Sequence, residues 1–154
     1  MSTAFLRVAK IEDAETLTAL ALRSKAYWGY DADFMAACAA ELTITPERIR
    51  NEHITVAVSE DTITGMVALA RGDEDRVLEL EDMFVDPAHI GTGLGSLLMA
   101  HAEMRAKKKG ACRVEVDADP HAQGFYERCG YRLIGRSPSA SIPGRSLPRL
   151  ALDL

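Results

Sequence analysis

The chain of 154 residues predicts a single α/β domain over residues 1–154, built on a mixed, mostly antiparallel central sheet of six to seven strands flanked by helices. Three observations predict it. Strand-like runs follow one another from Ile54 to Val85 with only short polar turns between them. A segment with three glycines, Gly91, Gly93 and Gly95, then opens a long helical stripe. Beyond that stripe, strand and helix patterns alternate to the end of the sequence.

Phe5, Leu6 and Val8 form a first short strand. Leu17, Leu20, Ala21 and Ser24 recur at helical spacing and predict a helix from about Glu12 to Lys25, broken by the aromatic cluster Tyr27-Trp28-Gly29-Tyr30. Asp31 or Asp33 can cap a second helix that carries Phe34, Met35, Cys38 and Leu42 on one face. Thr45-Pro46 opens a short third helix, with threonine as the cap and proline at the first helical position. Ile54 to Ser59 and Ile63 to Leu69 read as a hairpin around Glu60-Asp61. After the charged turn Arg71 to Asp75 comes a long strand, Arg76 to Val85, whose alternation puts Glu79 and Glu81 on one face and Leu78 and Leu80 on the other.

Leu94, Leu97, Leu98, His101 and Ala102 stripe the next helix, which ends on Lys107-Lys108-Lys109-Gly110 as the helix dipole favours. Strands at Cys112 to Val116 and Tyr131 to Ile134 enclose a short helix from His121 to Cys129. A proline-rich loop, Ser137 to Pro148, leads to a last strand, Arg149 to Leu154.

With 47% hydrophobic and 27% charged residues, the composition is that of a globular domain. A formal net charge of −5 argues against nucleic acid or an anionic membrane as a partner held by the global field. Cys38, Cys112 and Cys129 lack a Cys-x-x-Cys pair, so neither a disulfide framework nor a metal site is expected. Met1-Ser2-Thr3-Ala4-Phe5 carries no leader pattern and no stretch approaches a membrane span, so a soluble, unprocessed, cytoplasmic protein is expected.

The glycines leave the backbone free of Cβ atoms where a helix begins, so successive N–H groups can surround an anionic ligand. A glycine cluster is equally a turn that spaces a helix, and context decides. No lysine follows, which disfavours a Walker loop. Ser96 stands where a dinucleotide fold would have its third glycine, and too little chain follows to complete its repeats.

The order strand, helices, three antiparallel strands, glycine loop, long helix, strand, short helix, two strands resembles the GCN5-related N-acetyltransferase (GNAT) superfamily over nearly the whole chain. That family's loop, Gln/Arg-x-x-Gly-x-Gly/Ala, is matched by Ile90-Gly91-Thr92-Gly93-Leu94-Gly95, with Ile90 at the Gln/Arg position. A second block, Ala122-x-x-x-Tyr126-x-x-x-Gly130-Tyr131, is similar to the family's Ala-x-x-x-Tyr-x-x-x-Gly-Phe segment.

The resemblance implies an enzyme that moves an acetyl group from acetyl-CoA, its co-substrate, to a primary amine. It implies a pyrophosphate held on the amides of Gly91 through Ser96 (Gly91, Thr92, Gly93, Leu94, Gly95, Ser96), with Phe84 and Val85 pairing with the pantetheine arm and one of their amides polarising the thioester. Tyr126 is the implied general acid, since a phenol stays protonated at neutral pH and can return a proton to a thiolate. Glu79 lies where histone-type members carry a glutamate base, and Glu81 lies closer to the thioester; which of the two acts stays open. Asp119 falls where relatives have a cofactor-contacting asparagine, although a turn and cap role is the alternative.

On the acceptor side, Tyr27, Trp28 and Tyr30 can form a cation-binding wall and Arg145 can hold a carboxylate, which suggests a small amine such as an amino acid. Two alternatives stay open: an acyl-CoA-binding module without turnover, and a protein or peptide N-acetyltransferase. No nucleic acid or membrane partner is expected, and a homodimer is left open.

Overall fold

The computed structural model describes residues 4–154; Met1, Ser2 and Thr3, on which the expectation of an unprocessed start falls, lie outside the described residues. Seven strands form one sheet in the order β1-β2-β3-β4-β5-β7-β6: β1 (Phe5–Val8), β2 (His53–Ser59), β3 (Thr62–Arg71), β4 (Val77–Val85), β5 (Arg113–Asp117), β6 (Arg132–Pro138) and β7 (Ser146–Asp153). All neighbours are antiparallel except β4 and β5, which run parallel. Among the described residues, five α-helices cover the sheet: α1 (Ala14–Ala26), α2 (Ala32–Cys38), α3 (Pro46–Asn51), α4 (Leu94–Lys108) and α5 (Gln123–Arg128). Among the described residues, no helix is long and apolar enough to cross a membrane.

The local signals work as the residue types require. Asp31 accepts from the Phe34 amide at 2.8 Å and starts α2; Thr45 accepts from Arg48 at 3.1 Å and, with Pro46 at the first position, starts α3. In β3, Ile63 through Leu69 is buried on both faces because a helix lies on each side. Val67 and Leu69 join Leu94, Leu98, Met99 and Ala102 of α4 on one face, while Met66 and Ala68 pack with Leu17 and Leu20 of α1 on the other. The α4 stripe is Leu94, Leu98, Ala102 and Ala106 with Met99 beside it. Leu97, expected on that stripe, is instead 44% exposed, because a strict four-residue step carries the buried face past it.

Several boundaries differ from expectation. α2 ends at Cys38, so Leu42, expected on its face, lies in the turn beyond it and still packs against Cys38. β6 runs on to Pro138 and β7 begins at Ser146, so the intervening loop is only residues 139–145. Pro148 sits inside β7 because its carbonyl accepts from Ala118 at 2.9 Å just beyond Asp117↔Arg149, the last β5–β7 pair, where no ladder donor is required of it.

The irregularity that matters most is in β4. Leu69 pairs with Leu80 but Ala68 pairs with Asp82, so Glu81 is an extra residue, a β-bulge. The expected alternation therefore breaks: Leu78, Leu80, Met83 and Val85 pack toward α4, whereas Phe84 packs toward α1. Beside the bulge the sheet splits. β4 and β5 pair only from Val77↔Arg113 to Glu79↔Glu115, and the rest of β4 has no neighbour on that edge.

Candidate active site

The wedge between β4 and β5 opens into a cavity of about 550 Å³. Its walls are the end of β4 from Leu80 to Val85, the glycine loop, α5, the turn after β5, and residues of the α1–α2 and β6–β7 loops.

Strand parity fixes what the open edge of β4 presents. The Asp86 amide donates to Thr64 of β3 at 2.8 Å, so the Phe84 amide also faces β3, while the amides of Met83 and Val85 face the wedge. Of the two amides the sequence left open, Val85 is thus the one available to a ligand.

The glycine loop is shaped for close approach. Gly91 and Gly93 have φ of +83° and +87°, a region that side chains disfavour, and a Cβ on either would meet nothing within 4 Å. They are glycines for backbone conformation, with open space in front of them. Gly95 is a glycine for packing, since a Cβ there would lie 3.0 Å from the Phe125 ring. The first helical bond of α4 runs from Leu97 N to Gly93 O at 3.1 Å. Among the described residues the amides of Gly91, Gly93, Leu94, Gly95 and Ser96 have no protein acceptor. Thr92 does not point at the cavity; its hydroxyl ties the loop to the His89 carbonyl at 2.6 Å. Leu94 is buried in the core. Unpartnered amides at the head of a 15-residue helix, beside an open strand edge, suit a diphosphate on an extended arm.

Tyr126 reaches the same cavity from α5 and is 5% exposed. Burial, chiefly, with the nearby Tyr131, pushes its phenol well above its ordinary value, so it remains protonated. The two glutamates part company. Arg149 binds Glu79 through both carboxylate oxygens, at 2.8 and 3.1 Å, and also holds Glu115 and Asp117. Glu81 has no ion pair among the described residues and borders both the main cavity and a second, acidic hollow beside Glu79. Its side chain reaches solvent, yet partial desolvation, reinforced by Glu79, Glu52 and Asp82 and opposed by Arg48, pushes its carboxyl up to about 7. Next to it, Asp82 is 8% exposed and paired with Arg48, which Glu52 also grips at 2.7 and 2.9 Å. Arg48, Asp82 and Arg149 escaped the sequence reading; the adjacent acids Glu81-Asp82 in an otherwise alternating strand were the available signal for a bulge.

The residues that the sequence placed on the acceptor side form a latch. Asp119 accepts from Lys25 at 2.6 Å, from the Tyr30 hydroxyl at 2.8 Å and from the His121 amide at 2.9 Å, with Arg145 at 3.7 Å. Burial opposes its ionisation, but Lys25 and these donors outweigh it and the carboxyl lies below its ordinary value. Arg145 is also bonded to the Tyr30 hydroxyl at 2.8 Å and lies over the stacked rings of Tyr30 and Phe34. Trp28 stacks on His121 with centroids 5.1 Å apart, and exposed Tyr27 packs edge-on against Trp28. Asp119 thus sits on the cavity wall as a cap and a hub for three loops, and the carboxylate that Arg145 faces is that of Asp119.

Residues 18–131, which include both the glycine loop and Tyr126, match the acetyltransferase (GNAT) family. Over 69 residues the chain is 45% identical to blasticidin-S acetyltransferase of Streptomyces morookaense, a match covering 43% of this chain and 46% of that protein. Over 108 residues it is 33% identical to an uncharacterized N-acetyltransferase of Mycobacterium tuberculosis, covering 68% of this chain and 66% of that one. The chain therefore spans under two thirds of the length of these relatives. Among solved structures, the PaiA N-acetyltransferase of Thermoplasma acidophilum in complex with coenzyme A superimposes with a TM-score of 0.81 at 19% identity over 99% of both chains. An aminoglycoside 6'-N-acetyltransferase complexed with coenzyme A gives 0.74 at 17% identity over 97% of this chain and 96% of that one. These two likenesses are of fold. The match over residues 18–131 shows that the chain belongs to the acetyltransferase (GNAT) family.

Proposed function

We propose that this protein is an N-acetyltransferase that moves an acetyl group from acetyl-CoA to the primary amine of a small molecule. The observation that carries the reading is the split of β4 from β5 directly beside five unpartnered amides at the head of α4. A thioester arm in the wedge meets the Val85 amide, and its diphosphate meets the loop. Acetyl-CoA supplies an acyl group on a thioester, whose carbon–sulfur bond breaks as the amine nitrogen forms the new amide.

Glu81 takes the proton of the alkylammonium through water, leaving a neutral nitrogen able to attack. The Val85 amide donates to the carbonyl oxygen as negative charge develops there. Tyr126 gives its proton to the departing thiolate and takes one back from the attacking nitrogen, which sheds it as the amide forms, while Glu81 releases to solvent the proton it took from the alkylammonium. Phe84 contributes its side chain to packing beneath the wedge, and Glu79 contributes to the fold through Arg149.

The acceptor enters between the latch of Lys25, Tyr30, Asp119 and Arg145 and the Glu81 side of the cavity. The name of the blasticidin-S relative supports a small molecule as acceptor. Because Arg145 already faces Asp119, the support it lent to an amino acid carboxylate falls away, and a small amine without that requirement is the better reading. The test is release of free thiol from acetyl-CoA across a panel of small amines. Turnover with at least one amine, lowered tenfold or more in Tyr126→Phe with binding of acetyl-CoA intact, is expected. No turnover with any amine despite tight acetyl-CoA binding would replace this reading with a binding module.

A further inference from the structure

The main cavity contains five carboxylates on its walls, Glu41, Glu81, Asp82, Asp117 and Asp119, in a protein of net charge −5. Beside the loop amides a diphosphate entering it gains from a side-chain donor, above all a cation, and Ile90 offers none at the position where the family places Gln or Arg. Four lysine or arginine side chains line the cavity: Lys25, Arg48, Arg128 and Arg145. Three are engaged by the protein itself. Lys25 is held by Asp119, Arg48 by Glu52 and Asp82, and Arg145 by Tyr30 and Asp119. Arg128 makes no hydrogen bond or ion pair among the described residues.

Arg128 is also in the right place. It ends α5, and α5 is seated against the start of α4 by the Phe125 ring at Gly95. Its guanidinium lies back along its own helix, with one terminal nitrogen 3.3 Å from where a Cβ on Gly124 would be. Gly124 therefore leaves the room in which the guanidinium lies. An arginine with no internal counterion can turn to a phosphate without breaking a protein ion pair, and its planar donors match two phosphate oxygens.

We propose that Arg128 supplies to the pyrophosphate of acetyl-CoA the cationic contact that Ile90 cannot, facing the loop amides from the α5 side. The proposal rests on the acetyl-CoA reading above. Its test is calorimetric binding of CoA and of dephospho-CoA, which lacks the ribose 3'-phosphate, to the wild type, Arg128→Ala, Arg128→Lys and Ile90→Arg/Arg128→Ala. Arg128 is exposed, so its truncation spares the fold.

Arg128→Ala is expected to weaken both ligands by about tenfold, Arg128→Lys by less, and the loss is expected to shrink at high salt. Ile90→Arg added to Arg128→Ala is expected to recover much of it, which a merely structural role for Arg128 would not allow. Unchanged affinity in Arg128→Ala, or no recovery in the double variant, overturns the proposal. A loss seen with CoA and absent with dephospho-CoA overturns the pyrophosphate assignment in favour of the 3'-phosphate. Failure of the wild type to bind either ligand overturns the acetyl-CoA reading itself.

Discussion

Arg149 holds both carboxylate oxygens of Glu79, at 2.8 and 3.1 Å, while Glu81, two residues further along β4, has no counterion among the described residues. A base must be free to change its charge, and a carboxylate locked to a guanidinium is not. Glu81→Gln is therefore expected to lower kcat by about a hundredfold without lowering the melting temperature at neutral pH. Glu79→Gln is expected to act mainly on stability, by about 1–3 kcal/mol, since it removes one of three carboxylates around Arg149. Steady-state kinetics and thermal melts on the two variants separate the roles.

The Glu81 carboxyl titrates at about 7 against an ordinary 4.5, and the base form is the ionised one. Turnover should rise with pH through about 7, and that limb should vanish in Glu81→Gln. Stability carries the opposite sign. Between 4.5 and about 7 the folded state holds a proton that the unfolded state has released, so Glu81 lowers stability as pH rises through that window. Melting of Glu81→Gln relative to wild type should therefore improve at pH 8 compared with pH 4. A wild-type rate flat from pH 5.5 to 8 would remove Glu81 from the base role.

Gly93→Ala and Gly95→Ala should fail differently. At Gly93 the side chain has space but φ is +87°, so the cost is backbone strain of about 1–2 kcal/mol together with a distorted loop. At Gly95 the backbone is helical and the new methyl would press on the Phe125 ring, displacing α5 and with it Tyr126. Gly93→Ala should chiefly weaken CoA binding, and Gly95→Ala should chiefly lower kcat; calorimetry and kinetics on both variants check the split.

Asp119→Asn leaves Lys25 and Arg145 facing a neutral amide. We expect a loss of about 2 kcal/mol and faster amide hydrogen exchange in residues 27–31 and 139–145 together, because one carboxylate ties both loops. Exchange that quickens in only one of the two loops would show that Asp119 is not their common anchor.

Much of the fold was legible because its signals are local. Asp31 and Thr45 cap helices, the glycine loop precedes α4, and Gly110 follows it with φ +81°, all read from neighbouring residues. What the sequence could not show depends on partners far along the chain. The bulge at Glu81 exists only in the register between β3 and β4, and Arg149 reaches Glu79 across 70 positions. Arg145 looked available because its partners, Tyr30 and Asp119, are 115 and 26 residues away. Leu97 was misread because both the true stripe and a shifted one fit a leucine-rich helix start.

Among the described residues, three residue pairs make up the strand ladder that joins β1–β4 to β5–β7. The sheet is thus two plates sewn at one corner, with α4 as the backing beneath the seam. An extended ligand in the wedge lies along the unsewn length and lengthens the stitch on the β4 side. Occupancy then fastens the plates as well as filling a cavity, and opening of the C-terminal plate becomes slower in proportion to the time the wedge is full.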